Sequence, residues 1–122
     1  MRFVVSAGLL VAAFIHLVPL VGVLGESTLL ALYGIDASDP TLAILLRHRA
    51  VLFGVLGGFF AFAAFVPAYQ VAALVMGAAS AAAFVVIAWS TPGSSAAIAT
   101  IVRGDLVAIA GLAVASIARG ML

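Results

Sequence analysis

The chain contains no cysteine and no lysine, and charged residues make up only 7% of its 122 residues. Without cysteine there is no disulfide, no thiolate nucleophile and no cysteine-ligated zinc or iron–sulfur cluster. Soluble domains carry about 25% charged residues, so this chain lacks the polar side chains that would cover a soluble globule. Hydrophobic residues account for 67% of it. The composition predicts an integral membrane protein, with the lipid bilayer as a partner.

Familiar catalytic motifs are also missing. The sequence has no HExxH, GxSxG or P-loop pattern, and no serine is visibly grouped with a histidine and a carboxylate. The formal net charge is +1 and no basic stripe is present, so nucleic acid is not an expected partner. An enzyme is therefore the less favoured class, and no metal site is expected.

Four hydrophobic segments are long enough to cross a bilayer, which takes about 20 helical residues. Pro19 is expected to kink the first, and a short interfacial helix should start at Glu26 and stop at Gly34. The fold class predicted is all-α, a single transmembrane domain over residues 1–122 that forms a four-helix bundle. The spanning helices are predicted at about 3–24, 41–65, 69–89 and 96–118, and the short helix at about 27–33.

The distribution of charge predicts the orientation. Arg2 and Arg119 lie near the two ends, whereas the connection between the first two spans holds three acidic residues and no basic one. By the positive-inside rule, both termini are expected in the cytoplasm. Abundant alanine, and arginine in place of lysine, are typical of a GC-rich bacterium, so the inner membrane is the expected location. Tyr33 and Trp89 are then expected at the outer interface.

Arg103 and Asp105 lie inside the fourth segment. The uncharged stretch that follows, 106–118, has thirteen residues, too few to span, so both must enter the membrane with the helix. An ionisable side chain there costs roughly 2.5–3.5 kcal/mol and therefore marks a site or a partner. Residues two apart on a helix point about 200° apart, so Arg103 and Asp105 need separate partners.

Depth along the helices, at about 1.5 Å per residue, places polar residues from three spans in the outer half of the membrane. These are the candidate ligand-binding residues: His16, Arg47, His48, Arg49, Arg103 and Asp105. Asp105 is expected to pair with Arg49, Arg47 or His48. Arg103 is expected to use Glu26, a carbonyl freed near Pro19, or a bound anion.

Each candidate also has a purely structural interpretation. Residues 50–66 form a seventeen-residue apolar run, so 47–49 can lie at the interface, against lipid phosphates. Arg103 and Asp105 can belong to a structural ion pair between the second and fourth spans. His16 can be a packed histidine that bonds a carbonyl opened by Pro19.

Three classes of function are consistent with these residues. The first is a protein that binds or moves an anionic or polar-headed small molecule or lipid, because the arginines outnumber Asp105. The second is a structural or accessory subunit of a larger membrane complex or a homo-oligomer. The third is a bis-histidine haem or intramembrane redox protein with His16 and His48 as axial ligands; no other cofactor is expected.

Three stretches also carry a resemblance: HLVPLVGVLG at 16–25, LYGI at 32–35 and LLRHRAVLFG at 45–54. Together they are similar to a group of small bacterial membrane proteins related to the DoxX-like four-helix proteins. The resemblance covers most of the chain and implies a four-helix fold with a polar site from helices 1, 2 and 4, but no established activity. Some members are labelled phosphopantetheine adenylyltransferase. This chain does not support that label, because that enzyme resembles a soluble α/β protein with an HxGH-type motif.

Overall fold

The computed structural model describes residues 1–120, and this part of the chain is helical throughout apart from short connections. The helices are α1 (Arg2–Leu17), α2 (Glu26–Tyr33), α3 (Pro40–Ala63), α4 (Gln70–Ser90) and α5 (Ala96–Gly120). Two 3₁₀ segments, Val18–Leu24 and Pro67–Tyr69, extend α1 and precede α4. With these segments included, four helices are long and apolar enough to cross a membrane. The predicted all-α class is thus confirmed for the described residues.

The helix ends follow from local chemistry. The Asp39 side chain accepts a hydrogen bond from the Leu42 amide at 3.3 Å and caps α3, and Pro40 occupies its first turn. Gly34 ends α2 with φ of 66°, a left-handed conformation that glycine adopts readily. Pro19 has no N–H to donate, and there the winding tightens into the 3₁₀ segment that continues the first span. The expected kink therefore takes the form of a change in winding.

The long helices pack in a ring. The α1 helix packs against α3 and α5, α4 packs against α5, and α4 meets α3 over a smaller contact. The helices α3 and α5 consequently lie diagonally across the bundle and share no extensive interface. This matters because the structural ion pair considered above would join these two helices.

The two ends of the bundle differ in what they carry. One end, here called the α2 end, carries α2 and the turn between α4 and α5. The other, the terminus end, carries the start of α1, the turn between α3 and α4, and the last turn of α5. Neither name depends on an orientation in the membrane.

Close contact between α1 and α5 depends on Gly8. A Cβ atom at this position would lie 2.6 Å from the Ala115 Cβ and 2.7 Å from the Gly111 carbonyl oxygen. No larger residue fits without moving one of the helices, as in other small-residue contacts between membrane helices. The principal core lies beside this contact and includes Val5, Leu9, Phe60 and Leu112.

Large apolar side chains are exposed along all four long helices. The exposed fraction is 68% for Phe14, 64% for Val55, 62% for Val86 and 69% for Ile117. Contiguous apolar surface on this scale is uncommon on soluble monomers. With four helices of spanning length, this surface favours a membrane protein.

Candidate functional site

A cavity of about 380 Å³ lies at the α2 end of the bundle. Its volume falls in the range of small-molecule sites, about 300–1,000 Å³. The walls come from α1 and its 3₁₀ extension, α2, α3 and α5, and they are mostly apolar. The polar lining residues are Tyr33, Arg49, Thr100 and Asp105.

Arg49 is held by three aromatic rings from three helices. Its guanidinium carbon lies 4.7 Å from the ring centre of Phe53, 5.4 Å from that of Tyr33 and 5.4 Å from that of Phe84. A cation over an aromatic face gains about 2 kcal/mol when water is excluded. The rings therefore fix the position of Arg49, while its N–H donors form no hydrogen bond with residues 1–120.

Asp105 is 8% exposed and faces the same cavity. Arg49 acts on it through space, but no side chain of residues 1–120 makes a hydrogen bond or a salt bridge to its carboxylate. Among residues 1–120, the side-chain atom that is both fully buried and without a hydrogen-bond partner is Arg119 Nε. The Asp105 oxygens also lack a partner, so they are not fully buried. The carboxylate is therefore still reached from the cavity.

The shape of the cavity leaves room for a ligand beside these groups. A Cβ atom added at Gly104, which lines the wall next to Asp105, would meet no other atom within 4 Å. Phe14 and Val18 on one side and Thr100 on the other are exposed wall residues. Ala31 of α2 is also an exposed wall residue, so the cavity is open where the first span, α2 and α5 come together.

Two of the six candidate residues, Arg49 and Asp105, line this cavity. Arg47 is exposed, and its Nε donates to the Val23 carbonyl oxygen at 2.9 Å, joining α3 to the 3₁₀ segment. His48 and Arg103 are also exposed. Counting residues along the helices places all six candidates at one depth. The rotation of each helix about its axis turns Arg47, His48 and Arg103 away from the cavity. The arginine excess that favoured an anionic ligand consequently lies outside it.

Arg103 and Asp105 do lie on different faces of α5, as the spacing predicts: the first is exposed and the second buried. Of the partners expected for Asp105, Arg49 is the one that shares its cavity, without a direct salt bridge. Glu26 and the carbonyls near Pro19 make no hydrogen bond with Arg103 within residues 1–120. The ion-pair lock between α3 and α5 is therefore not formed by direct contact.

His16 is a packed residue, 1% exposed, with both ring nitrogens occupied. Its Nδ1 lies 2.9 Å from the Ala12 carbonyl oxygen, which accepts, so Nδ1 donates; Nε2 then accepts from the Ser80 hydroxyl at 3.0 Å. The ring packs against Phe60 and Phe53, at centroid distances of 4.9 and 5.7 Å. The packed interpretation holds, with the correction that the carbonyl is that of Ala12, one turn earlier, and not one opened by Pro19.

Axial ligation of haem by His16 and His48 does not fit this geometry. A ligating histidine needs a free ring nitrogen aimed at the iron, and both nitrogens of His16 are engaged within the bundle. His48 is exposed on α3. The bis-histidine hypothesis is therefore not supported by the positions of these two residues. Within residues 1–120, no three His, Cys, Asp or Glu side chains are grouped so as to hold a metal ion.

The aromatic residues around Arg49 are the part of the site that the sequence did not reveal. Phe53 lies four residues after Arg49 on one helix, a spacing that places both on one face, and this signal was available. Tyr33 was expected at the outer interface, but it is 4% exposed and lines the cavity. Phe84 comes from α4, and no local pattern connects it with Arg49.

Comparisons of the chain with protein-family models, with curated proteins and with solved structures give no match.

Proposed function

We propose that this chain is a multi-pass protein of the bacterial inner membrane that binds a small molecule or lipid with a polar head at the α2 end. The polar head contacts Arg49, Asp105 and Tyr33, and the apolar part lies along Phe14 and Val18. One observation carries the proposal. An arginine and a carboxylate share a cavity of about 380 Å³ without forming a salt bridge.

The absence of a salt bridge between Arg49 and Asp105 favours a binding site over a structural ion pair. Burying a carboxylate without a hydrogen-bonding partner costs several kcal/mol, which a direct, well-formed ion pair can offset. Asp105 has no such partner within residues 1–120, and Arg49 is instead fixed by rings. A head that accepts from Arg49 and donates to Asp105 satisfies both groups at once.

The balance of charge also narrows the ligand class. One guanidinium and one carboxylate face the cavity, so it carries no net charge from these groups. This arrangement favours a neutral or zwitterionic head with donors and acceptors, such as a hydroxylated or amine-bearing head, over a simple anion. A head of this kind on an apolar tail is amphiphilic, and the exposed apolar wall residues Phe14 and Val18 beside the opening suit entry from the bilayer.

The orientation and the family are parts of the same proposal. With Arg2 and Arg119 in the cytoplasm by the positive-inside rule, the α2 end and its cavity face the outer leaflet. The resemblance to DoxX-like proteins implies a bundle with polar residues on its first, second and fourth spans, which are α1, α3 and α5 here. We propose membership of that group.

The test is to fill the cavity without damaging the fold. Gly104→Leu places a side chain into the free volume beside Asp105, and Gly58→Leu is the matched control, because a Cβ atom at Gly58 in α3 also meets nothing within 4 Å. The full-length proteins are purified in mild detergent and examined by native mass spectrometry. We expect a co-purified amphiphile with the wild type and Gly58→Leu, and none with Gly104→Leu.

Defined probes identify the head class by thermal shift. Monoacylglycerol, lysophosphatidylcholine and decanoate represent neutral, zwitterionic and anionic heads on one apolar tail. We expect the first or second to raise the melting temperature of the wild type and of Gly58→Leu, but not of Gly104→Leu. Equal shifts in all three proteins, or a shift with decanoate alone, would contradict the proposed site.

Asp105→Asn distinguishes a ligand-binding role for this residue from a structural ion pair with Arg49. Neutralising the carboxylate removes no hydrogen bond and lowers the cost of burying it, so we expect the free energy of unfolding to stay the same or rise while probe binding is lost. A structural ion pair would instead lose about 3–5 kcal/mol when one partner is removed. A loss of that size with unchanged probe binding would establish the lock.

A further inference from the structure

A second cavity, of about 510 Å³, lies at the terminus end, between the start of α1, the α3–α4 turn and the last turn of α5. Its polar lining residues are Arg2, Ser6, Gln70 and Arg119. No aspartate or glutamate of the described chain lines it. Two arginines therefore line one cavity to which residues 1–120 contribute no carboxylate side chain.

Gln70 shows that this cavity is more than an exposed basic patch. The residue is 4% exposed, yet its side-chain amide makes no hydrogen bond with residues 1–120 and is not fully enclosed. A nearly buried amide with unused donors that lines a cavity is directed at its contents. Ser6 differs, because its hydroxyl already donates a hydrogen bond to the Ala64 carbonyl oxygen at 2.6 Å.

The available groups are nearly all donors. Arg2 and Arg119 offer guanidinium N–H groups, Gln70 offers an NH₂, and the Nε of Arg119 is buried without a partner among residues 1–120. Two guanidinium groups that line one cavity give it a positive potential, which favours an anion there. Arginine binds phosphate oxygens in a bidentate manner, which suits a tetrahedral group with several acceptors.

We propose that this terminus-end cavity binds a phosphate group, either the headgroup phosphate of an anionic lipid or that of a small soluble phosphate compound. The site is separate from the α2-end cavity and does not depend on its function. It draws on both chain ends and on the α3–α4 turn, so a bound phosphate would also tie these three segments together.

The test uses the full chain in mild detergent with three probes: phosphatidylglycerol, diacylglycerol, which has no phosphate, and inorganic phosphate. Native mass spectrometry and thermal shift report binding. We expect a one-to-one adduct with phosphatidylglycerol and none with diacylglycerol. Competition of inorganic phosphate with this adduct indicates a soluble phosphate compound, and failure to compete indicates a lipid; either outcome supports the phosphate site.

Three variants locate the adduct. Gln70→Leu and Arg2→Gln each remove donors from the cavity, and we expect each to weaken phosphatidylglycerol binding by about tenfold or more, the usual effect of losing a hydrogen bond to a charged group. Arg47→Gln is the matched control, because it removes the same charge from an exposed arginine at the other end. Equal affinity in all four proteins, equal binding of diacylglycerol, or no adduct in the wild type would overturn the proposal.

Discussion

The two ends of this bundle use arginine in different ways. At the α2 end, Arg49 is enclosed by three rings and shares a cavity with a carboxylate. At the terminus end, Arg2 and Arg119 share a cavity in which the described chain supplies no carboxylate. The first arrangement is close to neutral and enclosed by apolar walls, whereas the second is positive. The environment of an arginine, and not its presence alone, therefore decides what a cavity can bind.

The helices α1 and α5 contribute to both ends, and their separation changes along their length. In the terminus half, Gly8 lies so close to Gly111 and Ala115 that a Cβ atom does not fit. Towards the α2 end, the space beside Gly104 is empty. The α1 and α5 helices are therefore in close contact in the terminus half and leave space at the α2 end, where the cavity forms.

The largest effect is expected from removing the enclosed arginine. Arg49→Ala deletes three cation–aromatic contacts and the positive charge that faces Asp105, so we expect the free energy of unfolding to fall by about 3 kcal/mol. Arg119→Ala at the terminus end removes no aromatic contact and no salt bridge within residues 1–120, and we expect a change within about 1 kcal/mol. Unfolding in a titration with sodium dodecyl sulfate measures both values.

A double variant checks the cause of that loss. If the unpaired Asp105 carboxylate contributes, Arg49→Ala combined with Asp105→Asn is more stable than Arg49→Ala alone. Losses of similar size for Arg49→Ala and Arg119→Ala would remove the distinction between the two ends.

The next effect concerns the helix contact that separates the ends. Gly8→Ala forces a Cβ atom to within 2.7 Å of the Gly111 carbonyl oxygen, so α1 and α5 must move apart. We expect a loss of about 2 kcal/mol, as in other overpacked cores. Gly104→Ala on α5 meets no atom and should gain about 0.5–1 kcal/mol from helix propensity. The same detergent titration compares the two variants, and a loss at Gly104 would show that the space beside it is not free.

The sequence predicted the helices well because their signals are local. The spans follow from long apolar runs, and Pro19, Gly34 and Asp39 act on the backbone next to them. The largest differences are two residues, at the ends of α3 (Ala63 against 65) and α5 (Gly120 against 118). Depth also follows from counting residues, so Arg49 and Asp105 could be placed at one level.

The rotation of each helix about its axis could not be predicted. The residues 47–49 point in different directions around α3, and close contacts elsewhere, such as Leu17 against Gly57, determine which of them faces inward. Ring contacts between helices, such as Phe84 on Arg49, depend on the same rotations. The burial of Tyr33 in the cavity wall was not predicted, because an interfacial tyrosine and a buried lining tyrosine look alike in a helix as short as α2.

A smaller effect is expected at His16, which links the cavity wall to the core. Its ring contacts Phe53, which lines the α2-end cavity, and Phe60, which belongs to the core. Ser80→Ala removes the donor to Nε2 and leaves a buried acceptor unpaired, so we expect a loss of about 1–2 kcal/mol. Ser90→Ala is the control, because that hydroxyl bonds the Ile87 carbonyl on an exposed turn. Equal losses would mean that His16 does not depend on Ser80.

The smallest effect is expected from Arg103, which tests where the α2-end site stops. Arg103→Gln removes the same charge as a change at Arg49 would, but Arg103 is exposed on the far face of α5. Arg103 makes no hydrogen bond or salt bridge within residues 1–120, and an arginine inside a spanning helix is itself costly, so we expect no loss of stability in the detergent titration and unchanged probe binding. A loss above about 1 kcal/mol together with lost binding would extend the site around α5 and restore a net positive charge to it. The preference for a neutral or zwitterionic head depends on Arg103 lying outside the cavity, so this variant decides between that head and an anion.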